Sequence, residues 1–212
     1  ERYELQGLKV VINDSTFSDE VFDKLGKISP DFTPANCQKY FDETFSGDPV
    51  EGLAYTYGSR IGSAFADFST RLSRDIQDRK CFHSLWLPSD IFNKNAPCLS
   101  DIYVRSTVDG YLNMFASFRT HNALSAWPMN VYALSRCQHE LAAARDLMPG
   151  QLVVYSRSIS VDDIGKAVGI SALVKYRFEP DPLGQFIVDI SDGFIVMRLL
   201  VDGLERKTLR AN

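Results

Sequence analysis

Residues 96–130 decide the fold, and they read APCLSDIYVRSTVDGYLNMFASFRTHNALSAWPMN. Two strand-like stretches, residues 98–106 and 111–119, flank the dipeptide Asp109-Gly110, which is a strong hairpin signal because both turn positions favour positive φ. The stretch therefore predicts two antiparallel strands over these ranges. The chain then enters a helix predicted over residues 129–147, which Pro149-Gly150 is expected to stop.

Further elements are predicted on both sides of this hairpin. Apolar residues recur at three- and four-residue steps from Ile61 to Ile76, which is typical of an amphipathic helix. The predicted strands cover residues 8–12, 81–87, 151–160, 186–191 and 194–201, and the other predicted helices cover residues 15–28, 35–45, 59–79 and 162–174. Strands and helices alternate irregularly with two antiparallel hairpins, the second on Asp192-Gly193, so the fold class is predicted as α+β rather than doubly wound.

Composition limits the function classes. The chain has 212 residues, 45% of them hydrophobic and 24% charged, which suits a single domain over residues 1–212. A net charge of -4 argues against nonspecific nucleic-acid binding. No apolar run approaches the roughly 20 residues of a membrane helix, so no membrane partner is expected.

Four cysteines, Cys37, Cys81, Cys98 and Cys137, are well separated and form no metal-binding spacing. We expect no metal and favour a cytoplasmic protein with reduced thiols, with a disulfide framework as the alternative.

Three residues of the opening stretch carry chemistry. Cys98 offers a thiolate nucleophile, and its pKa of about 8.5 in the free state must be lowered by nearby positive charge such as Arg119. Arg119 also presents the planar fork of donors that holds a phosphate. Asn130 offers one acceptor and one donor group for reading a base edge. Together they outline a chemical site.

These motifs resemble the thymidylate synthase family. That family shows a catalytic Pro-Cys, a hairpin, an Arg-Ser-x-Asp segment and a Pro-x-Asn that opens a helix, which Pro97-Cys98, residues 119–122 and residues 128–130 match in order. The segment YTYGSR at residues 55–60 looks like the family's Tyr-Gly segment, and DPLGQF at residues 181–186 looks like the C-terminal part of the short archaeal-type members and related nucleotide hydroxymethylases. The resemblance covers about residues 40–204 and implies a mixed sheet with flanking helices in a single domain.

The resemblance implies an enzyme that transfers a one-carbon unit to C5 of a pyrimidine nucleoside monophosphate, by methylation or hydroxymethylation. Cys98 would add to C6, because C5 becomes nucleophilic only after such an addition. The implied donor is 5,10-methylenetetrahydrofolate. Asn130 is the implied base reader and favours uracil. Glu43 is the implied catalytic carboxylate, with a register that also allows Tyr40, and Tyr57 is a third catalytic candidate or a core residue.

The resemblance also assigns contacts to the phosphate. Arg119 with Thr120 forms the implied clamp, while Arg79 and Lys80 look like the basic pair that reaches this phosphate from the other subunit of a homodimer.

Departures from the family pattern concern the sugar and folate contacts. The usual His-x-Tyr is absent from residues 156–162, so Ser158, Ser160 or Asp162 are the candidates for the sugar. Asn122 replaces a common Asp on the expected folate side, and Ser125 stands near a usual Gly.

Two other interpretations remain open from the sequence. The departures suit a nucleotide-binding homologue with lost or altered catalysis. Cys98 also suits an acyl-transfer nucleophile, which would need a His or carboxylate partner.

Overall fold

The computed structural model describes residues 3–45, 55–162, 185–191, 194–201 and 204–211. The chain divides into two compact units, residues 1–170 and residues 171–212. The first unit contains the hairpin and the candidate residues from 40 to 160, so its architecture positions the site.

A mixed sheet forms the centre of the first unit. Its strands are β1 Tyr3–Ile12, β2 Phe82–Ser84, β3 Leu99–Ser106, β4 Tyr111–Phe118, β5 His121–Asn122 and β6 Met148–Val161. Their order is β1-β6-β4-β3-β2, and β5 also pairs with β6. β6 is parallel to β4 and β5, whereas the other pairs are antiparallel. The predicted α+β class is confirmed.

Helices flank this sheet. They are α1 Asp19–Ile28, α2 Pro34–Thr44, α3 Tyr57–Ile61, α4 Ala64–Arg74 and α5 Ala126–Ala143, with a 3-10 helix over Pro88–Phe92. The Thr33 side chain accepts a hydrogen bond from the Asn36 backbone and Pro34 follows it, so α2 has a well-formed start. None of the described helices is both long and apolar enough to pass through a bilayer.

The core lies between α5 and the central strands. Leu112, Met114, Leu134 and Leu152 are 0% exposed, and burying each such side chain contributes roughly 1.5–3 kcal/mol. Gln138 is equally buried, and its amide donates to the carbonyls of β4 and β6 at Leu112 and Gly150 over 2.7 and 3.1 Å. The helix is therefore fixed against the two parallel strands by both packing and hydrogen bonds.

The hairpin predicted from residues 98–119 is confirmed as β3 and β4, with one difference in its turn. Gly110 has a φ of 86°, whereas Asp109 does not take a positive φ. The backbone N–H of Gly110 donates to Thr107 over 3.3 Å, and that of Thr107 donates to Tyr111 over 2.8 Å. Glycine alone therefore supplies the left-handed conformation.

The continuous helix predicted over residues 59–79 is wrong. It is divided into α3 and α4, because Gly62 has a φ of 51° and interrupts the helical backbone. The apolar spacing continues across this break, so periodicity alone did not reveal it.

The end of the α5 prediction is also wrong. α5 ends at Ala143, and Pro149-Gly150 lie inside β6. Asp146, with a φ of 54°, lies in the connection between the two elements. The helix predicted over residues 162–174 falls almost wholly outside the described residues.

The second unit contains a three-stranded antiparallel sheet. Its strands are β7 Gln185–Ser191, β8 Phe194–Val201 and β9 Leu204–Ala211, in that order. The predicted pairing of residues 186–191 with 194–201 is confirmed. The Asp192-Gly193 turn lies outside the described residues, and β9 was not predicted. A single domain over residues 1–212 stays a prediction.

Candidate functional site

Cys98 lies where two cavities meet. It directly precedes β3 and is half-buried. The first cavity, of about 520 Å³, also contains Arg119 and is called the Arg119 cavity. The second, of about 280 Å³, contains Asn130 and is called the Asn130 cavity. Because Tyr40, Tyr57 and Cys98 line both, a ligand can reach both cavities and the thiol at once.

The Arg119 cavity is cationic. Arg119 follows β4 directly, and its Nε and Nη2 donate to the carbonyls of Pro97 and Ala96 over 3.0 and 2.9 Å. These bonds fix the guanidinium beside Cys98 and leave three of its five N–H donors for an anion. Lys94 lines the same cavity and adds a second cation.

The Asn130 cavity contains a continuous hydrogen-bond chain. The Tyr40 hydroxyl donates to Asn130 Oδ1 over 2.7 Å, and Asn130 Nδ2 lies 3.2 Å from His121 Nε2. His121 Nδ1 lies 2.8 Å from Ser156 Oγ. Asn130 is 1% exposed and His121 3% exposed. The amide is thus held at both ends within the protein interior.

Burial determines the charge states of this chain. It lowers the pKa of His121 from 6.5 to about 4, so the imidazole is neutral at pH 7. It also raises the pKa of the Tyr40 and Tyr57 hydroxyls well above 10, so both keep their protons. The His121 ring packs on Phe118 with centroids 3.8 Å apart. The hydrogen-bond chain from Tyr40 to Ser156 is therefore a set of neutral, directional groups.

Three more predicted residues line the Asn130 cavity, namely Thr120, Asn122 and Ser160. The side-chain nitrogen of Asn122 donates to the Asp162 carboxylate over 2.8 Å. The side-chain oxygen of Asn122 accepts from the backbone N–H groups of Leu124 and Ser125. Asp162 lines the same cavity and is thereby positioned by Asn122.

Four predicted residues lie elsewhere. Glu43 is exposed, lines neither cavity and forms an ion pair with Lys39 at 3.7 Å. Ser158 is half-buried on β6 and also lines neither. Arg79 and Lys80 are exposed, and Lys80 lines a different cavity of about 470 Å³. The roles suggested for these four residues stay predictions, and the position of Glu43 does not support its role.

The fold brings three further residues to the site, namely Tyr40, His121 and Lys94. The sequence indicates Tyr40 only as an alternative to Glu43, and it carries no clear signal for Lys94. The one available signal for His121 was its place between Arg119 and Asn122. Nothing in a sequence shows that its ring nitrogens reach both Asn130 and Ser156.

A third cavity, of about 290 Å³, adjoins the Asn130 cavity and shares Tyr40 and Ala126 with it. Phe32, Pro128 and Met129 form apolar walls, and Asp31 and Ser125 add polar groups. Apolar walls with a nearby carboxylate are compatible with a planar heterocycle that carries N–H donors. Among the described residues, no cluster of His, Cys, Asp or Glu could hold a metal ion.

Comparison with known proteins identifies relatives in sequence and in structure. A protein of Methanosarcina barkeri (strain Fusaro / DSM 804) named "Putative thymidylate synthase" is 26% identical over 135 residues, which are 59% of this chain and 61% of the relative. One of the same name from Methanopyrus kandleri (strain AV19) is 30% identical over 121 residues, 54% of this chain and 58% of the relative. The matches thus span about three fifths of these curated relatives. No family model matches the chain.

The fold has a solved counterpart. The crystal structure of thymidylate synthase from T4 phage superposes with a TM-score of 0.54 over 88% of this chain and 76% of the phage chain, at 14% identity. The mixed sheet with flanking helices that the resemblance predicted is therefore confirmed as a fold.

Proposed function

Since the chain is thymidylate-synthase-like in sequence and in fold, we propose that it is a transferase that moves a one-carbon unit to C5 of a pyrimidine nucleoside monophosphate. The observation that carries the proposal is the position of Cys98 between the Arg119 and Asn130 cavities. One cavity offers cations for a phosphate, and the other offers an amide for a base.

The substrate would bind with its two ends in the two cavities. The fork of Arg119 and the ammonium of Lys94 would hold the phosphate, whereas Thr120 lines the Asn130 cavity and would contact the substrate there. Asn130 keeps one N–H and one oxygen lone pair after its bonds to His121 and Tyr40. Those two groups match O4 and N3–H of uracil.

The thiolate of Cys98 would then form a bond to C6. The C5–C6 π electrons move toward C5 and O4, and the remaining N–H of Asn130 stabilises the charge on O4. C5 would then form a bond to the one-carbon unit and give up its proton to water, and the bond between that carbon and the donor's nitrogen would break to leave an exocyclic methylene on the base. Hydride, or water with loss of a proton, would add to that methylene, and the electron pair returned to the ring would break the C6–S bond and release Cys98 as the thiolate. Two backbone carbonyls fix Arg119 beside the thiol.

The implied donor is 5,10-methylenetetrahydrofolate, which supplies a one-carbon unit at the formaldehyde oxidation level when bound. Pro128 and Met129 would pack against its pterin, and Asp31 and Ser125 would hydrogen-bond its ring nitrogens. Methylation and hydroxymethylation share every step up to the exocyclic methylene and differ in whether hydride or water completes it.

A homodimer is part of the proposal, with Arg79 and Lys80 reaching the partner's phosphate. The sheet face opposite α5 carries a row of paired apolar residues across five strands, Phe82, Tyr103, Phe115, Val153 and Val11. Phe82 is 56% and Val11 42% exposed. A second copy of the chain would cover this row. A cytoplasmic location suits the mechanism, because all four cysteines are unpaired and Cys98 must stay a thiol.

Release of tritium from C5 tests the proposed chemistry. Labelled dUMP, UMP, dCMP and CMP would each be incubated with protein and methylenetetrahydrofolate, and the product mass would distinguish a methyl from a hydroxymethyl group. We expect release from a uracil nucleotide with the parent protein and none with Cys98→Ser. Turnover by Cys98→Ser at the parent rate would contradict the thiol mechanism.

A nucleotide-binding protein without catalysis is the second candidate. It is favoured because Glu43 lines neither cavity and because Asp162, the carboxylate that does line the Asn130 cavity, is held by Asn122. This candidate predicts binding of a pyrimidine monophosphate with equal affinity by the parent and by Cys98→Ala, without tritium release by either. An acyl-transfer role is not supported, because both ring nitrogens of His121 are bound to Asn130 and Ser156.

A further inference from the structure

The amide of Asn130 can favour either pyrimidine, depending on its orientation. Uracil presents a donor at N3 and an acceptor at position 4, whereas cytosine presents an acceptor at N3 and a donor at position 4. Rotating the amide by half a turn exchanges its oxygen and nitrogen and so reverses the preference. Whatever fixes the amide therefore selects the base.

We propose that His121 is the positioning residue that selects uracil over cytosine, through its hydrogen bond to the Asn130 amide and its second bond to Ser156. The inference rests on the proposed function, because it concerns the base that the Asn130 cavity receives. His121 itself need not touch the substrate.

The direction of the chain follows from its contacts. Asn130 Nδ2 faces His121 Nε2 at 3.2 Å. An amide nitrogen only donates, so Nε2 accepts and the ring proton lies on Nδ1. That proton is donated to Ser156 Oγ at 2.8 Å. At the other end, the Tyr40 hydroxyl donates to Oδ1 at 2.7 Å. Both amide atoms thus have partners of the correct type.

A rotated amide would lose this match. Its oxygen would face the lone pair of Nε2, and its nitrogen would face the Tyr40 hydroxyl proton. Repairing both contacts requires the imidazole tautomer, the Ser156 hydroxyl and the Tyr40 hydroxyl to change together. Burial disfavours the imidazolium, whose Nε2–H could donate only to the oxygen of a rotated amide. Because Phe118 packs against the ring at 3.8 Å, the imidazole is also restrained from turning away.

The ring tautomer can be measured without any ligand. The chain has three histidines, and long-range ¹H–¹⁵N NMR separates the two neutral tautomers of each. His121→Gln assigns the signal by its disappearance. We expect a neutral Nδ1–H tautomer for His121 at pH 7. A neutral Nε2–H tautomer would overturn the inference whether or not the protein binds nucleotides.

Base preference is the second test. Dissociation constants for dUMP, UMP, dCMP and CMP would be measured by calorimetry for the parent, His121→Gln and the control His139→Gln, whose ring instead contacts Ser15. A glutamine amide can present oxygen or nitrogen to Asn130, so it no longer fixes the direction. We expect the parent to prefer uracil by about tenfold to a hundredfold and His121→Gln to reduce this ratio about tenfold.

If the role of His121 is purely structural, His121→Gln will weaken the binding of uracil and cytosine nucleotides equally. An unchanged ratio of their dissociation constants would overturn the inference while leaving the proposed function intact. If the parent binds no pyrimidine nucleotide, both fail. If His121→Gln does not fold, the tautomer measured in the parent still decides the direction of the hydrogen-bond chain.

Discussion

The Arg119 and Asn130 cavities meet at Cys98 but are built by opposite means. Arg119 is anchored by backbone carbonyls, is half-buried and has a cationic neighbour in Lys94. Asn130 is 1% exposed and belongs to a chain of neutral side chains. Charge attracts any phosphate, whereas directed hydrogen bonds between neutral groups accept only one arrangement of donors and acceptors. Under the proposed function, affinity would therefore come mainly from the Arg119 cavity and selectivity from the Asn130 cavity.

This separation has an energetic reason. A charged fork near solvent tolerates small displacements of its anion, because Coulomb attraction falls slowly with distance. A buried amide tolerates none, since an unmatched buried donor or acceptor costs about 1–3 kcal/mol. Substitutions in the Arg119 cavity should then weaken all nucleotides together, and those in the Asn130 cavity should change which nucleotide is preferred.

Replacing the thiol where the cavities meet should give the largest effect. Cys98→Ser leaves both cavities intact but removes the nucleophile, and we expect turnover to fall by about 10⁴-fold or more with little change in nucleotide affinity. Single-turnover kinetics would measure the turnover, and calorimetry would measure the nucleotide affinity. Cys137→Ala is the matched control, because burial raises the pKa of that thiol to about 12 and makes it unreactive. A large loss of affinity in Cys98→Ser would show that the sulfur also shapes the cavities.

Arg119→Lys should give the next largest effect. A single ammonium cannot bond both carbonyls and a phosphate in the geometry of the guanidinium fork. We expect KM for every nucleotide to rise by about a hundredfold to a thousandfold, with the uracil-to-cytosine ratio unchanged. Lys94→Ala should raise KM by only about threefold, as expected for an exposed charge. A changed base ratio in Arg119→Lys would contradict the separation of the two cavities.

The buried His121 should make stability depend on pH. Its pKa is about 4 in the folded protein against 6.5 ordinarily. Between these values the unfolded chain binds a proton that the folded chain does not, so stability falls as the pH falls from 6.5 toward 4. The loss between pH 8 and pH 4.5 should be about 2 kcal/mol larger in the parent than in His121→Gln. Urea unfolding at both pH values measures it, and equal losses would show that His121 is accessible to protons.

The sequence predicted the parts of this molecule that depend on local pattern. The β3–β4 hairpin was predicted from the Asp109-Gly110 turn signal, and Cys98, Arg119 and Asn130 were identified as candidates from the order of motifs. What it did not predict depends on contacts between distant segments. The bond from Tyr40 to Asn130 joins residues 90 apart, and that from His121 to Ser156 joins residues 35 apart. The break at Gly62 was missed because a glycine is compatible with both a helix and a left-handed turn.

The position of Glu43 does not support the catalytic role that the resemblance implies, so we expect its substitution to have the smallest effect on turnover. Its side chain is 50% exposed and pairs with Lys39 on the same helix at 3.7 Å, an arrangement that contributes only about 0.3–0.5 kcal/mol. Tyr40, one turn earlier on α2, lines the cavities instead. Glu43→Gln should therefore change turnover less than about twofold, whereas Tyr40→Phe removes the donor to Asn130 and should change the base ratio. A large loss of tritium release in Glu43→Gln, with unaltered nucleotide affinity, would contradict this expectation. It would show that the Glu43 carboxylate acts on the reacting base despite its ion pair with Lys39.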